Sequence, residues 1–223
     1  MVSKGKKTNG DSNKKVRDRL LDSAEELFCE YGFSGASIRD IAASADCNIA
    51  SVNYYFGGKE RLYREVWRRH LITMRDNRIA SINKVMSQNG NKPKLEDLLR
   101  SFAEAFIGPL VDENKTRHLS KLMAREWIDN HLPANMFLDD IITPTLNAMR
   151  SALIKTCPGF DESKVPFVVC SIVGQLLHML HVKAVFQQCD ESSLPTFDLA
   201  KAIDHVVKFS TAGIRIYAKG TCE

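Results

Sequence analysis

Within seven residues the chain presents an amide at Asn53, two phenols at Tyr54 and Tyr55, and an ammonium at Lys59. An asparagine amide can pair bidentately with the N6 and N7 edge of adenine, while phenols and a lysine can contact phosphate. These groups suit reading and gripping DNA. Two other constellations could do different chemistry. His178 and His181 stand three apart, a spacing that could offer two metal ligands on one helix, but no acidic or cysteine partner lies beside them at helical spacing. The bland reading has one histidine facing inward with a hydrogen-bond partner and the other in solvent. Arg125 and Glu126 could hint at acid chemistry, although an ordinary ion pair is the commoner meaning. No glycine-rich phosphate loop, no His-Glu-x-x-His and no Gly-x-Ser-x-Gly occurs. No catalytic residue, metal or cofactor is therefore expected.

The elements that must position the DNA-directed groups run from Ser37 to Phe56. Ser37 can cap a first short helix, in which Ile38, Ile41, Ala42 and Ala45 share one face. Asp46, Cys47 and Asn48 break the run; Asp46 tolerates a left-handed turn and Asn48 can cap again. The second helix has two inward anchors, Val52 and Phe56, and turns Ala50, Ser51, Asn53, Tyr54 and Tyr55 elsewhere. This is the layout of a helix-turn-helix whose second helix enters the major groove. The candidate DNA-binding set is Ser37, Arg39, Asn48, Ala50, Ser51, Asn53, Tyr54, Tyr55 and Lys59.

Residues 16 to 70 resemble the amino-terminal domain of TetR-family transcriptional regulators. The pattern stands here as Leu27-Phe28, Tyr31-Gly32-Phe33, Ser37, Asp40-Ile41-Ala42, Tyr54-Tyr55-Phe56, Gly58-Lys59-Glu60 and Leu62. Asp46 replaces the usual turn glycine, and Asn53 replaces the first tyrosine of the reading helix. Farther on, the run from His118 to Trp127, then Pro144, then Ser171 to Gln175, resembles the effector domain of the CecR-like branch. The resemblance implies a homodimer on a pseudo-palindromic operator, a phosphate contact by Lys59, and release by a small-molecule effector, usually from a repressing state. It also implies that the last two helices pair with their copies, so Val206 is expected in an apolar seam between subunits.

The composition, 44% apolar and 26% charged with a net charge of +4, is that of an ordinary globular chain. Basic charge concentrates at the start: residues 1–19 hold seven Lys or Arg against two Asp, while residues 20–70 hold six against eight acidic residues. The leading tail reads either as a solubilising segment or as an arm for the DNA backbone. Six cysteines (Cys29, Cys47, Cys157, Cys170, Cys189 and Cys222) lack zinc spacing. No apolar signal opens the chain, so they read as reduced thiols and the protein as cytoplasmic.

The expected fold class is all-α, with an N-terminal helix-turn-helix domain and a C-terminal helical ligand-binding and dimerisation domain. The boundaries are a disordered basic tail over 1–13, the DNA-binding domain over 14–58, a connecting helix over 59–88 and the effector and dimerisation domain over 94–218. Leu20, Ala24, Leu27, Phe28 and Tyr31 form the expected buried stripe of the first helix. Gly108-Pro109 should end another, and Pro144 should kink or divide a third. Pro166 to Phe186 approaches the length of a membrane span, but Gln175, His178, His181 and Lys183 interrupt it, so no membrane partner is expected and the helix reads as buried on several sides. The effector pocket is expected between the Leu95–Trp127 helices and Val165–Phe186. Phe102, Phe106, Met123, Trp127 and Met179 supply its apolar lining, and Arg125, Gln175 and His178 its polar groups. Alternatively these side chains satisfy one another in a dry core, with Arg125 paired to Glu126 or Asp129. A ligand-responsive DNA-binding regulator accounts for the whole best. The alternative from another class is a cofactor-free enzyme or an interaction module with an all-helical fold.

Overall fold

The computed structural model describes residues 9–88, 93–111, 119, 121–123, 125–126, 129–186 and 198–218. All regular structure among them is helical, save one bridging pair between Phe160 and Ala218. Trp127, Cys189 and Cys222, and the first eight residues of the basic tail, lie outside the described residues. The remaining cysteines, Cys29, Cys47, Cys157 and Cys170, form no disulfide, and no metal-ligating cluster occurs among the described residues.

The chain divides into two compact units that cross the boundaries expected from sequence. Unit 1 takes the described residues up to Ile72 together with those of Asp112–Met136. It contains α1 (Asn9–Gly35), α2 (Ile38–Ser44), α3 (Ile49–Phe56) and the first part of α4 (Lys59–Met86). Helix α1 begins five residues before the expected Lys14, so residues 9–13 are helical rather than disordered. Its inward stripe of Leu20, Ala24 and Phe28 is fully buried, and Ile41, Val52, Leu62, Val66 and Trp67 close the same core. Tyr31 does not join that stripe and is exposed. Gly32, at φ 73°, breaks the helix one residue later and swings the chain away, which only a residue without a Cβ does cheaply.

Unit 2 takes Thr73–Val111 and the described residues after Met136. The second part of α4 packs Ile82 and Val85 into a core shared with α5 (Leu95–Val111), α6 (Thr143–Thr156), α7 (Val165–Phe186) and α8 (Leu199–Ile216). Gly108-Pro109 does not end α5, which continues through Pro109 to Val111. Proline is tolerated so near the end because only one ladder hydrogen bond is forfeited. Pro144 instead sits at the start of α6, after a π-turn over Leu138–Ile142. The wider turn accommodates the proline's missing N–H and its bulky ring.

Helix α7 buries one side, not several. Val165, Val168, Val169, Ile172 and Leu176 enter the core, while Phe167, Cys170, Gly174 and His178 remain on the surface. The stretch Glu162–Lys183 is the one helix among the described residues long and apolar enough, by length and composition, to cross a membrane. Helix α8 opens on Asp198, whose carboxylate accepts from the amides of Ala200 and Lys201. Val206, expected in a seam between subunits, is 1% exposed and belongs to the core of its own chain. The outward apolar groups of α8 are Phe209 and Ile216, at 63% and 81% exposure.

Candidate DNA interface and effector site

The reading helix is assembled from its caps inward. Ser37 Oγ accepts from the Asp40 amide at 3.1 Å and donates to the Asp40 carboxylate at 2.6 Å, closing the first turn of α2. Asp46 holds the inter-helix turn at φ 50°, so an aspartate adopts the left-handed conformation that glycine would adopt more cheaply. Asn48 Oδ1 then accepts from the Ala50 amide at 2.9 Å and starts α3. Val52 and Phe56 are buried and seat the helix, while Gly57 ends it at φ 71°.

This seating leaves Ala50, Asn53 and Tyr54 exposed on one side, with Tyr54 77% exposed, and Arg39 exposed on α2. Ser51 and Tyr55 are half-buried. The Tyr55 hydroxyl donates to Asn13 Oδ1 at 3.0 Å, and its ring meets Tyr54 edge-on at 4.9 Å. Lys59 is not extended into solvent. Its Nζ donates to the Ser34 carbonyl at 3.4 Å and lies 4.7 Å over the Phe33 ring. Burial pulls its pKa below the ordinary lysine value. In this structure Lys59 thus satisfies a backbone carbonyl that follows the Gly32 break.

Beside the reading helix stand arginines that the sequence reading left out of the DNA-binding set, taking most of those on α4 as a solvated face. Arg17 bonds Glu65 at 2.7 Å and lies 5.2 Å over Phe56. With Arg61, Arg64, Arg68 and Tyr55 it lines a recess of about 410 Å³. Arg64 pairs with Glu60 and Arg68 with Glu65, so much of this charge is locally compensated.

The described residues of 119–136 belong to the same unit. Glu126, 5% exposed, accepts from the Tyr63 hydroxyl at 2.8 Å and from the Leu132 amide at 2.6 Å. Burial, and after it the Glu126 carboxylate, push the Tyr63 phenol above its ordinary value, the bond from Trp67 acting the other way. Arg125 Nη2 donates to the Glu30 carbonyl at 2.7 Å, and its guanidinium covers Gly32 so closely that a Cβ there would meet Nη1 at 2.8 Å. Arg125 therefore pairs with neither Glu126 nor Asp129, and it is held against α1. The His131 ring lies 4.3 Å from that of Phe33, tilted by 42°.

The remaining ligand candidates do not come together as one set. Phe102 and Phe106 are buried in unit 2 with ring centroids 6.3 Å apart, and Met179 packs against the same core. Met123 is half-buried in unit 1. Gln175 donates to the Ser171 carbonyl of its own helix at 3.1 Å. It lines a surface groove of about 190 Å³ between α7 and α8 with Phe167, Phe209 and Tyr217. His178 is exposed.

One residue the sequence reading passed over belongs with Phe106. Arg78 of α4 is only 8% exposed, and its guanidinium lies 4.3 Å over the Phe106 ring. Its Nε is enclosed without an acceptor among the described residues. The signal was present in the sequence: Arg78 stands four residues before Ile82 and seven before Val85, on the apolar stripe of α4.

Known proteins place this geometry. Residues 20–66 match the family model described as "Bacterial regulatory proteins, tetR family", and residues 95–214 match the C-terminal domain of the HTH-type transcriptional dual regulator CecR. CecR of Shigella flexneri is 26% identical over 168 residues, spanning 73% of this chain and 74% of that protein. YttP of Bacillus subtilis, named as an HTH-type transcriptional regulator, is 54% identical over 44 residues, 20% of this chain and 21% of that one. A Mesorhizobium loti TetR-family structure superposes with a TM-score of 0.66 at 17% identity, covering 90% of this chain and 97% of its own. A helix-turn-helix capped at Ser37 and Asn48, followed by a CecR-type helical half, thus makes this chain a member of the TetR family of DNA-binding bacterial transcriptional regulators.

Proposed function

We propose that the protein represses transcription as a homodimer on a pseudo-palindromic operator, and that a small apolar molecule bound in unit 2 releases it. The observation that carries the reading is the outward side of α3, where Asn53 and Tyr54 are exposed while Val52 and Phe56 seat the helix. Such a helix delivers base-reading groups to a major groove, and two copies read two half-sites. Ser37, Arg39, Asn48, Ala50, Ser51, Tyr55 and Lys59 surround it as backbone-positioning groups.

Dimerisation through α7 and α8 is supported by Phe167, Phe209 and Tyr217, exposed side chains along the groove between those helices, and by the exposed Ile216 of α8. Effector release follows as a population shift. A ligand that binds the DNA-incompetent conformation better draws the dimer off the operator by its difference in affinity for the two states. Repression is the sign the family resemblance implies, and a DNA-bound regulator of this kind works in the cytoplasm. Selection of binding sites from a random DNA pool tests the reading. It should return two inverted half-sites with centres about one helical turn apart or somewhat more. Recovery of single, unpaired sites, or of no preferred sequence, refutes it.

A further inference from the structure

We propose that Arg78 anchors the effector, and that the effector is an apolar molecule bearing a single carboxylate, held by the guanidinium beside the Phe106 ring. The inference rests on reading unit 2 as the effector half and names the chemistry of its ligand.

Arginine is seldom buried unless a carboxylate or several acceptors compensate it. Arg78 is 8% exposed, and its enclosed Nε has no acceptor among the described residues. The acidic groups of α4 and α5 are engaged or exposed: Asp76 pairs with Arg75, Glu96 with Arg215, and Asp97 and Glu104 face solvent. On α8, Asp204 pairs with Arg100 and Lys208. Among the described residues the compensating contact is the Phe106 face at 4.3 Å, a fraction of what a carboxylate supplies. Burial draws the Arg78 pKa down to about 10, which still leaves the group charged at neutral pH.

A charge kept buried without a counter-ion is a poor structural device and a good binding one. Part of its desolvation cost is borne in the unliganded protein, at the enclosed Nε, so an incoming anion meets a guanidinium already partly stripped of water. The guanidinium fork matches a carboxylate bidentately. One cation offsets one negative charge, so a carboxylate fits where a phosphate dianion would leave charge uncompensated. Phe106, and Phe102 beyond it, favour an apolar or aromatic body.

The test uses the purified full-length protein with decanoate and 4-phenylbutyrate, each paired with its neutral amide. In thermal melts without ligand, Arg78→Met should melt higher than wild type, because it removes an uncompensated buried charge. A lower melting temperature would overturn the proposal by making Arg78 structural. At millimolar concentration the carboxylates should raise the wild-type melting temperature by several degrees and the amides should not. Arg78→Met should lose the response, and Arg78→Lys should retain it with at least tenfold weaker binding. Equal shifts from acid and amide would overturn the anion anchor. A gel-shift assay on the selected operator separates the two levels. Operator release by the amides as readily as by the acids would leave ligand-responsive regulation standing and remove Arg78 from it. Operator binding that neither acids nor amides alter would also overturn the anchor, while leaving the DNA-binding reading intact.

Discussion

Replacing Tyr63 or Glu126 should expose the bond that ties Glu126 to α4. Both carboxyl oxygens of Glu126 accept, one from the Tyr63 hydroxyl at 2.8 Å and one from the Leu132 amide at 2.6 Å. A hydrogen bond to a charged group contributes about 1.5–3 kcal/mol, and a buried donor left unpaired costs about 1–3 kcal/mol. Tyr63→Phe deletes one such bond and should destabilise unit 1 by about 2 kcal/mol. Glu126→Leu strands both the phenol and the amide and should cost about 3–5 kcal/mol. The double variant leaves only the Leu132 amide unpaired, so it should be no less stable than Glu126→Leu alone. That gives a coupling of about 1.5–3 kcal/mol. Glu126→Gln should be mild, at about 1 kcal/mol, since its oxygen can serve Leu132 and its amide can donate to the Tyr63 oxygen. Urea unfolding followed by tryptophan fluorescence suits the measurement, because Trp67 is buried with its ring 6.5 Å from that of Tyr63. Strict additivity of the two single variants would show that no shared bond exists.

Asn53→Ala should cost about 1–3 kcal/mol at one position per half-site and relax base preference there, read by binding to a randomised operator library; uniform weakening would assign Asn53 to phosphate instead. Lys59→Ala should weaken binding to all sequences alike and reduce the salt slope by about one; an unchanged slope would confine Lys59 to its Ser34 carbonyl. Phe209→Glu should yield folded monomers in sedimentation, whereas Val206→Glu should unfold unit 2 by burying an unpaired charge; a folded Val206→Glu monomer would contradict the packing. Burial opposes ionisation of Glu25, but its bonds to His70 and Arg69 outweigh it and hold the carboxyl at about 2, below its ordinary 4.5. A depressed pKa stabilises the fold above the unfolded value, so this contribution should vanish as pH falls from about 4.5 toward 2. Glu25→Gln should flatten an acid unfolding curve over that window, and an unchanged curve would refute the assignment.

What the sequence determined by itself was local. Capping at Ser37 and Asn48, the left-handed turn at Asp46, and the inward pair Val52 and Phe56 each depend on neighbours within four residues, so residue type and spacing suffice. The all-helical class was legible for the same reason, as were the buried Phe102 and Phe106, which stand four apart on the apolar stripe of α5. Partners were not legible. Periodicity says that Val206 faces something apolar, and it took the packed α8 to show that this is its own core, with Phe209 left outside. Arg125 looked like a pocket residue until a carbonyl 95 positions away, that of Glu30, claimed it. Glu126 found Tyr63 across 63 residues. The four-part division along the chain did not foresee this, because those contacts tie the described residues of 119–136 to the DNA-reading unit. Arg78 shows the same limit. A charge on an apolar stripe can snorkel to solvent or stay inside, and the packing of α4 against α5 decided it by closing Phe106 over the guanidinium.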